Sequence, residues 1–289
     1  MDMMKKYLRS SLFLFLAPAL VYLFIWRIVP VFYTVYLSFT EWNLLKANAP
    51  SWIGLDNYIY ILSDGRFFNS LKITILFLIL ATAVEVIAGM GIAVLLDRKI
   101  RGIEVIKGLY LIPMLITPVV VGTIWYIIFH SKIGPLNYLL MVVGISPVKW
   151  LDSPTTALYS IIIADAWQWT PFVVLLVLAA LQTVSVELYE AAKMDGASAT
   201  QLFRFITLPS IKRVLLIVAI IRGMDAFRIF DTVFIMTGGG PASATEVASM
   251  LVYRTAFQFF KLGYASAMVI ILLCVISAFT WIYVRTLRI

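Results

Sequence analysis

The chain has 289 residues, 62% of them apolar and 13% charged, against about 45–50% and about 25% in ordinary soluble domains. Mean hydropathy is +0.98, and a soluble fold of this length leaves roughly a quarter of its surface in water. Soluble, disordered, collagenous and coiled-coil classes are therefore excluded, and an integral membrane protein remains.

Six apolar segments follow one another at about 12–36, 70–96, 108–129, 158–182, 212–236 and 263–284. Each exceeds the length that a core helix usually needs and reaches the ~20 residues of a bilayer-crossing helix. Backbone polar groups in lipid must be satisfied within the segment, so the expectation is an all-α membrane protein of about six transmembrane helices. The first segment begins with Lys5, Lys6 and Arg9 and contains Ala17-Pro18-Ala19, which resembles a signal-peptide cleavage site. Its apolar part before that site is short, and the run continues to Trp26. The expectation is an uncleaved helix with kinks or ends at Pro18 and Pro30.

The first outer loop, about 37–69, carries Trp42, Trp52, Tyr58 and Tyr60, suited to a membrane interface. Within the third segment Pro113 and Pro118 flank Met114 and Thr117 and are expected to break regular helix there. The single histidine, His130, and single cysteine, Cys274, rule out a multi-histidine metal site, a CxxC motif and an internal disulfide framework. Lys5, Lys6, Arg9, Arg98, Lys99, Arg101, Lys107, Lys193, Arg204, Lys212, Arg213, Arg285 and Arg288 outnumber the basic residues of the opposite loops. The bias predicts that both termini are cytoplasmic, and the net charge of +8 is then a topology signal rather than a nucleic-acid patch.

The loop from Thr183 to Arg213 is the longest inner one. Ser185 is positioned to cap a short helix over 186–195, with Gly196 as its left-handed stop. Ser198 and Gln201 have the spacing of a capping box for the next helix. No GxxxxGK[ST], HExxH or GxSxG motif occurs, and Gly238-Gly239-Gly240-Pro241 reads as an outer turn. Any nucleotide that powers the protein must therefore be bound by another chain.

The inner loop reads Glu190-Ala191-Ala192, three residues, Gly196, nine residues, Ile206, one residue, Leu208-Pro209. It resembles the EAA loop of permease subunits of ATP-binding-cassette (ABC) importers of bacteria and archaea. The segment Ile53 to Tyr58, Phe230-Asp231, Thr237 to Pro241, Thr245, Tyr253 to Phe257 and Gly263 to Ala267 resemble sugar permeases of the MalF/UgpA type. Val184-Ser185 departs from the Ile-Pro often found before the coupling helix of that family. The resemblance implies a type I ABC importer permease (MetI-like) fold in the plasma (inner) membrane. It divides the chain into a first helix and outer loop (1–69), a five-helix core (70–284) holding the coupling loop (183–213), and a short tail (285–289). It implies a second homologous permease, two ABC ATPase subunits that carry ATP and magnesium, an extracytoplasmic solute-binding protein and a sugar as cargo. No cofactor in this chain and no nucleic-acid partner are expected. Glu190, Ala191, Ala192, Asp195 and Gly196 are implied in ATPase coupling.

Ionisable groups within membrane spans point to function. Asp165, Gln168 and Trp169 share one face of the fourth segment, and Arg222, Asp225, Arg228 and Asp231 recur at every third position of the fifth. Counting at ~1.5 Å per residue places Asp165 and Asp225 at similar depth. Together with Met114 and Thr117, the residues Asp165, Gln168, Trp169, Arg222 and Asp225 are candidates for the substrate path. The competing expectation is that the charges form interhelical ion pairs. Glu85 in the second segment has no obvious partner, and Arg27 is placed to snorkel. Alternatives for the cargo are glycerol-phosphate, another polyol or an oligosaccharide. An ion-coupled secondary transporter would account for the buried carboxylates but not for the inner loop.

Overall fold

The computed structural model describes residues 15–46, 49–97 and 102–287. Of the basic residues used to orient the chain, Lys5, Lys6, Arg9, Arg98, Lys99, Arg101 and Arg288 lie outside the described residues. The described chain is almost wholly helical, with one two-stranded hairpin, and it divides into two compact units.

The first unit comprises the chain up to Asp64 and Val252–Val275. Helix α1 (Phe15–Ser38) has the length and hydropathy of a membrane span. Pro30 does not end it. Proline has no N–H for the carbonyl four residues earlier, and the turn Phe24–Ile28 widens to a π-helix instead. After α1, strands β1 (Thr40–Glu41) and β2 (Ser51–Trp52) pair antiparallel, and α2 (Asp56–Ser63) follows. The Asn57 side-chain amide, almost fully buried, donates to Ser38 O and Thr40 O, both at 2.9 Å. The segment Ile53–Tyr58 thus serves to fasten the outer hairpin to the end of α1. The backbone N–H of Leu44 donates to Phe260 O, and that of Gly263 to Trp42 O, which brings the later part of this unit against the same loop.

The second unit comprises Gly65–Leu251 and the segment from Ile276. Its elements are α3 (Gly65–Leu96), α4 (Ile103–Leu115), α5 (Pro118–Ile128), α6 (Pro135–Val142), α7 (Ala157–Leu181), α8 (Val186–Met194), α9 (Ala199–Leu202), α10 (Leu208–Phe227) and α11 (Asp231–Met236). Helix α12 (Ala248–Tyr253) and the long α13 (Leu262–Leu287) complete the chain. The core is α7, packed along α3 and α10. A cluster of Ala93, Val173, Val177, Ile211 and Val218 is fully buried among the three. Gly89 explains their closeness: a Cβ built there would lie 2.6 Å from Val173 Cγ1, inside any real contact. Small residues at such crossings let helix backbones approach.

Among the described residues, four helices are long and apolar enough to span a membrane, or five with α4 and α5 taken as one broken span. Two of the six expected segments therefore differ from simple spans. The third bends by 97° between Leu115 and Pro118, because Pro113 and Pro118 remove two helical N–H groups within one turn and a half. The fifth is interrupted after Phe227 and resumes at Asp231. Its first part, α10, is 20 residues long, about 30 Å, and includes Lys212, Arg213, Arg222 and Asp225. Its charges are what separate it from a purely apolar span.

Candidate functional site: an exposed short helix and a charged cavity

The loop between α7 and α10 forms a short exposed helix followed by a sharp turn. Helix α8 runs from Val186 to Met194, with no residue buried. Ser185 occupies the N-cap position in extended conformation, but it makes no cap bond to the backbone. Its hydroxyl donates to the Glu187 carboxylate, which keeps that group below the usual carboxylate range. This corrects the expectation of a side-chain cap. Gly196 adopts φ +80° with nothing near the position of a Cβ, so backbone conformation alone demands glycine there. Ser198 and Gln201 form the full capping box: Gln201 N–H donates to Ser198 Oγ at 3.3 Å, and Ser198 N–H to Gln201 Oε1 at 2.7 Å. A π-turn over Phe203–Thr207 then leads into α10, whose second residue is Pro209. Pro209 cannot donate to Phe205 O, and the wider turn absorbs the loss. Tyr189 and Thr207 share a hydrogen bond of 2.9 Å between their hydroxyls, which anchors α8 to that turn.

Glu190, Ala191 and Asp195 are exposed, Ala192 is half-buried, and Met194 is 89% exposed. Ala192, Asp195, Gly196, Gln201, Leu202, Phe205 and Ile206 border a groove of about 300 Å³. A side chain larger than alanine at 192 would intrude on it. The loop therefore presents an exposed helix that carries Ala191 and Ala192 beside an adjoining slot.

The second cluster is an ion network in the core of the same unit. The Arg222 guanidinium is 2% exposed and donates through all three nitrogens. Nε and Nη2 bind the two oxygens of Glu85 at 2.7 and 2.9 Å. Nη2 also reaches Asp165 at 3.0 Å, and Nη1 reaches Asp225 at 2.7 Å. The Trp169 ring lies 4.7 Å from the guanidinium carbon, an attractive cation–π distance. Glu85 is thus not without a partner: it makes the bidentate half of the network. The expected Arg222–Asp225 pair is present, whereas Arg228 pairs with Asp225 at 3.2 Å rather than with Asp231.

Beside this network lies a cavity of about 280 Å³, lined by Asp165, Gln168, Trp169, Asp225, Arg228 and Asp231 together with Pro118 and the stretch from Ile229 to Thr232. The breaks in the helices build it. The interruption between Phe227 and Asp231 turns Arg228 and Phe230 toward it, and the α4–α5 bend brings Pro118 to its edge. Met114 and Thr117 are not among its lining residues. The bend also frees the Ile116 carbonyl, but that oxygen accepts from Gln168 Nε2 at 2.8 Å instead of facing a ligand. Arg222 stands behind the cavity rather than in it.

The chain matches the family model described as binding-protein-dependent transport system inner membrane component over residues 104–287. The chain belongs to this family. Its relatives include the trehalose/maltose transport system permease protein MalF of Thermococcus litoralis, 36% identical, with 98% of this chain and 96% of that protein covered. The sulfoquinovosyl glycerol transport system permease protein SmoG of Agrobacterium fabrum is 31% identical over 95% of this chain and 89% of its own length. The fold matches that in the crystal structure of a bacterial ABC transporter involved in the import of the acidic polysaccharide alginate. The TM-score is 0.86 at 21% identity, covering 100% of this chain and 99% of that one. As a permease component of a binding-protein-dependent importer, the chain is a multi-pass membrane protein and a translocation subunit.

Two features escaped sequence reasoning. Glu85 and Arg222 lie 137 residues apart, so no local spacing links them, although two opposite charges at membrane depth were a signal that they meet. Arg66 grips the buried Glu246 at 2.7 and 2.8 Å, in the loop that follows Gly238-Gly239-Gly240-Pro241.

Proposed function

We propose that this chain is one of two permease subunits of an ATP-driven sugar importer in the plasma membrane of a bacterium or archaeon. Two ABC ATPase subunits carry ATP and magnesium, an extracytoplasmic binding protein delivers the sugar, and both termini of this chain are cytoplasmic. Helix α8 is the lever. When the ATPase pair closes, it pulls on Glu190, Ala191 and Ala192, and the capping box and the Tyr189–Thr207 bond pass the movement to α10. Alternating access then exposes the cavity beside Asp165 and Asp225 to each side in turn. Carboxylates suit sugar hydroxyls as acceptors, and Trp169 offers an apolar face to a sugar ring. The trehalose/maltose and sulfoquinovosyl glycerol permeases among the relatives support the sugar class.

The observation that carries this reading is helix α8, with no residue buried, ending at a left-handed Gly196, in a chain of this family. The test is ATP hydrolysis by the reconstituted complex with and without its binding protein. Ala192→Arg is expected to abolish stimulation by the binding protein while the chain still inserts in the membrane. Normal stimulation in that variant would contradict the coupling role.

A further inference from the structure

We infer that the cavity is an electrostatic filter that admits uncharged solutes and rejects anionic ones, with Asp225 and Asp231 setting the selection. This rests on the proposed function above and adds the charge class of the cargo. Three carboxylates line the cavity, those of Asp165, Asp225 and Asp231, against the single guanidinium of Arg228. An arginine at membrane depth would ordinarily favour an anion. Here four of the five Arg222 N–H donors are already held by carboxylates, and one face of the guanidinium is covered by Trp169. With Glu85 and Arg222 included, four carboxylates face two guanidinium groups, so the formal charge of the whole cluster is negative. Gln168 has an Nε2 N–H committed to Ile116 O. The cavity therefore offers mostly acceptors. A polyol supplies donors to them, whereas a carboxylate or phosphate meets like charge. The resemblance to a transporter of an acidic polysaccharide concerns the fold and leaves the charge of the cavity free to differ.

The test reads the field directly and needs neither cargo nor ATP, so a complex that fails to transport still reports on it. Phe230, which lines the cavity and is half-buried, is replaced by Phe230→Cys in a Cys274→Ser background. The purified complex is treated with a cationic (trimethylammonium) and an anionic (sulfonate) methanethiosulfonate, and rates are scaled to those of free 2-mercaptoethanol. The cationic reagent is expected to react at least about tenfold faster, within the range by which charged clefts concentrate ions. That preference should fall severalfold on adding Asp231→Asn, and again with Asp225→Asn. It should also shrink between about 10 mM and about 1 M salt as screening shortens to ~3 Å, a reading that holds even where a variant fails to assemble. Equal rates, a preference for the anion, or no reaction with either reagent would overturn the inference.

Discussion

Replacing Arg222 by methionine isolates the cost of the core ion network. The guanidinium makes four charge-assisted hydrogen bonds of 2.7–3.0 Å. Without it, Glu85 (fully buried) and Asp165 (side chain 7% exposed) lose their counter-charge, whereas Asp225 is 43% exposed and stays hydrated. Breaking a buried pair in this way costs about 3–5 kcal/mol. At about 2–4 °C per kcal/mol for larger domains, the thermal midpoint should drop by roughly 6–20 °C. Adding Glu85→Leu removes the most buried orphan. Apolar replacement of a whole buried pair is often near neutral, so the double variant should recover more than half of the loss. The assay is thermal unfolding of the detergent-solubilised complex, followed by tryptophan fluorescence, in a complete double-mutant cycle. A double variant as unstable as the sum of its singles would refute the coupling of these residues.

The other expectations concern backbone geometry. Gly89→Val should destabilise the α3–α7 crossing by about 1–3 kcal/mol or more, because its Cβ starts 2.6 Å from Val173; the same unfolding assay checks it, and a neutral result would mean that the helices separate freely. At Gly196 the constraint is φ +80° rather than space. Gly196→Asn should therefore keep most of the binding-protein-stimulated ATPase activity and Gly196→Val should lose it, since a β-branched residue is a strong outlier in that conformation. Equal activity of the two would show that the turn is unimportant.

Local chemistry was legible in the sequence. Gly196, the Ser198–Gln201 box and the proline break near residue 116 each follow from residue types a few positions apart, and the structure shows each where the spacing implies it. Apolar length found most spans in the same way. The fifth segment was misread as continuous because hydropathy averages over the charges, and those charges meet partners on other helices. Pro30 was also more permissive than expected, since a π-turn absorbs a missing N–H without ending the helix. What stayed hidden was long-range: that Arg222 belongs to Glu85, and hence that it backs the cavity instead of facing a solute. No periodicity encodes such a pairing, because it depends on how α3, α7 and α10 rotate against one another.

The coupling role proposed for α8 is tested most directly by locating Met194, which is 89% exposed. In intact cells carrying Met194→Cys with Cys274→Ser, a membrane-impermeant maleimide should leave the chain unlabelled. The same cysteine should react in inside-out vesicles and form a disulfide cross-link to an ATPase subunit of the assembled complex. Labelling from outside in intact cells, or full reactivity in the assembled complex without any cross-link, would contradict the account.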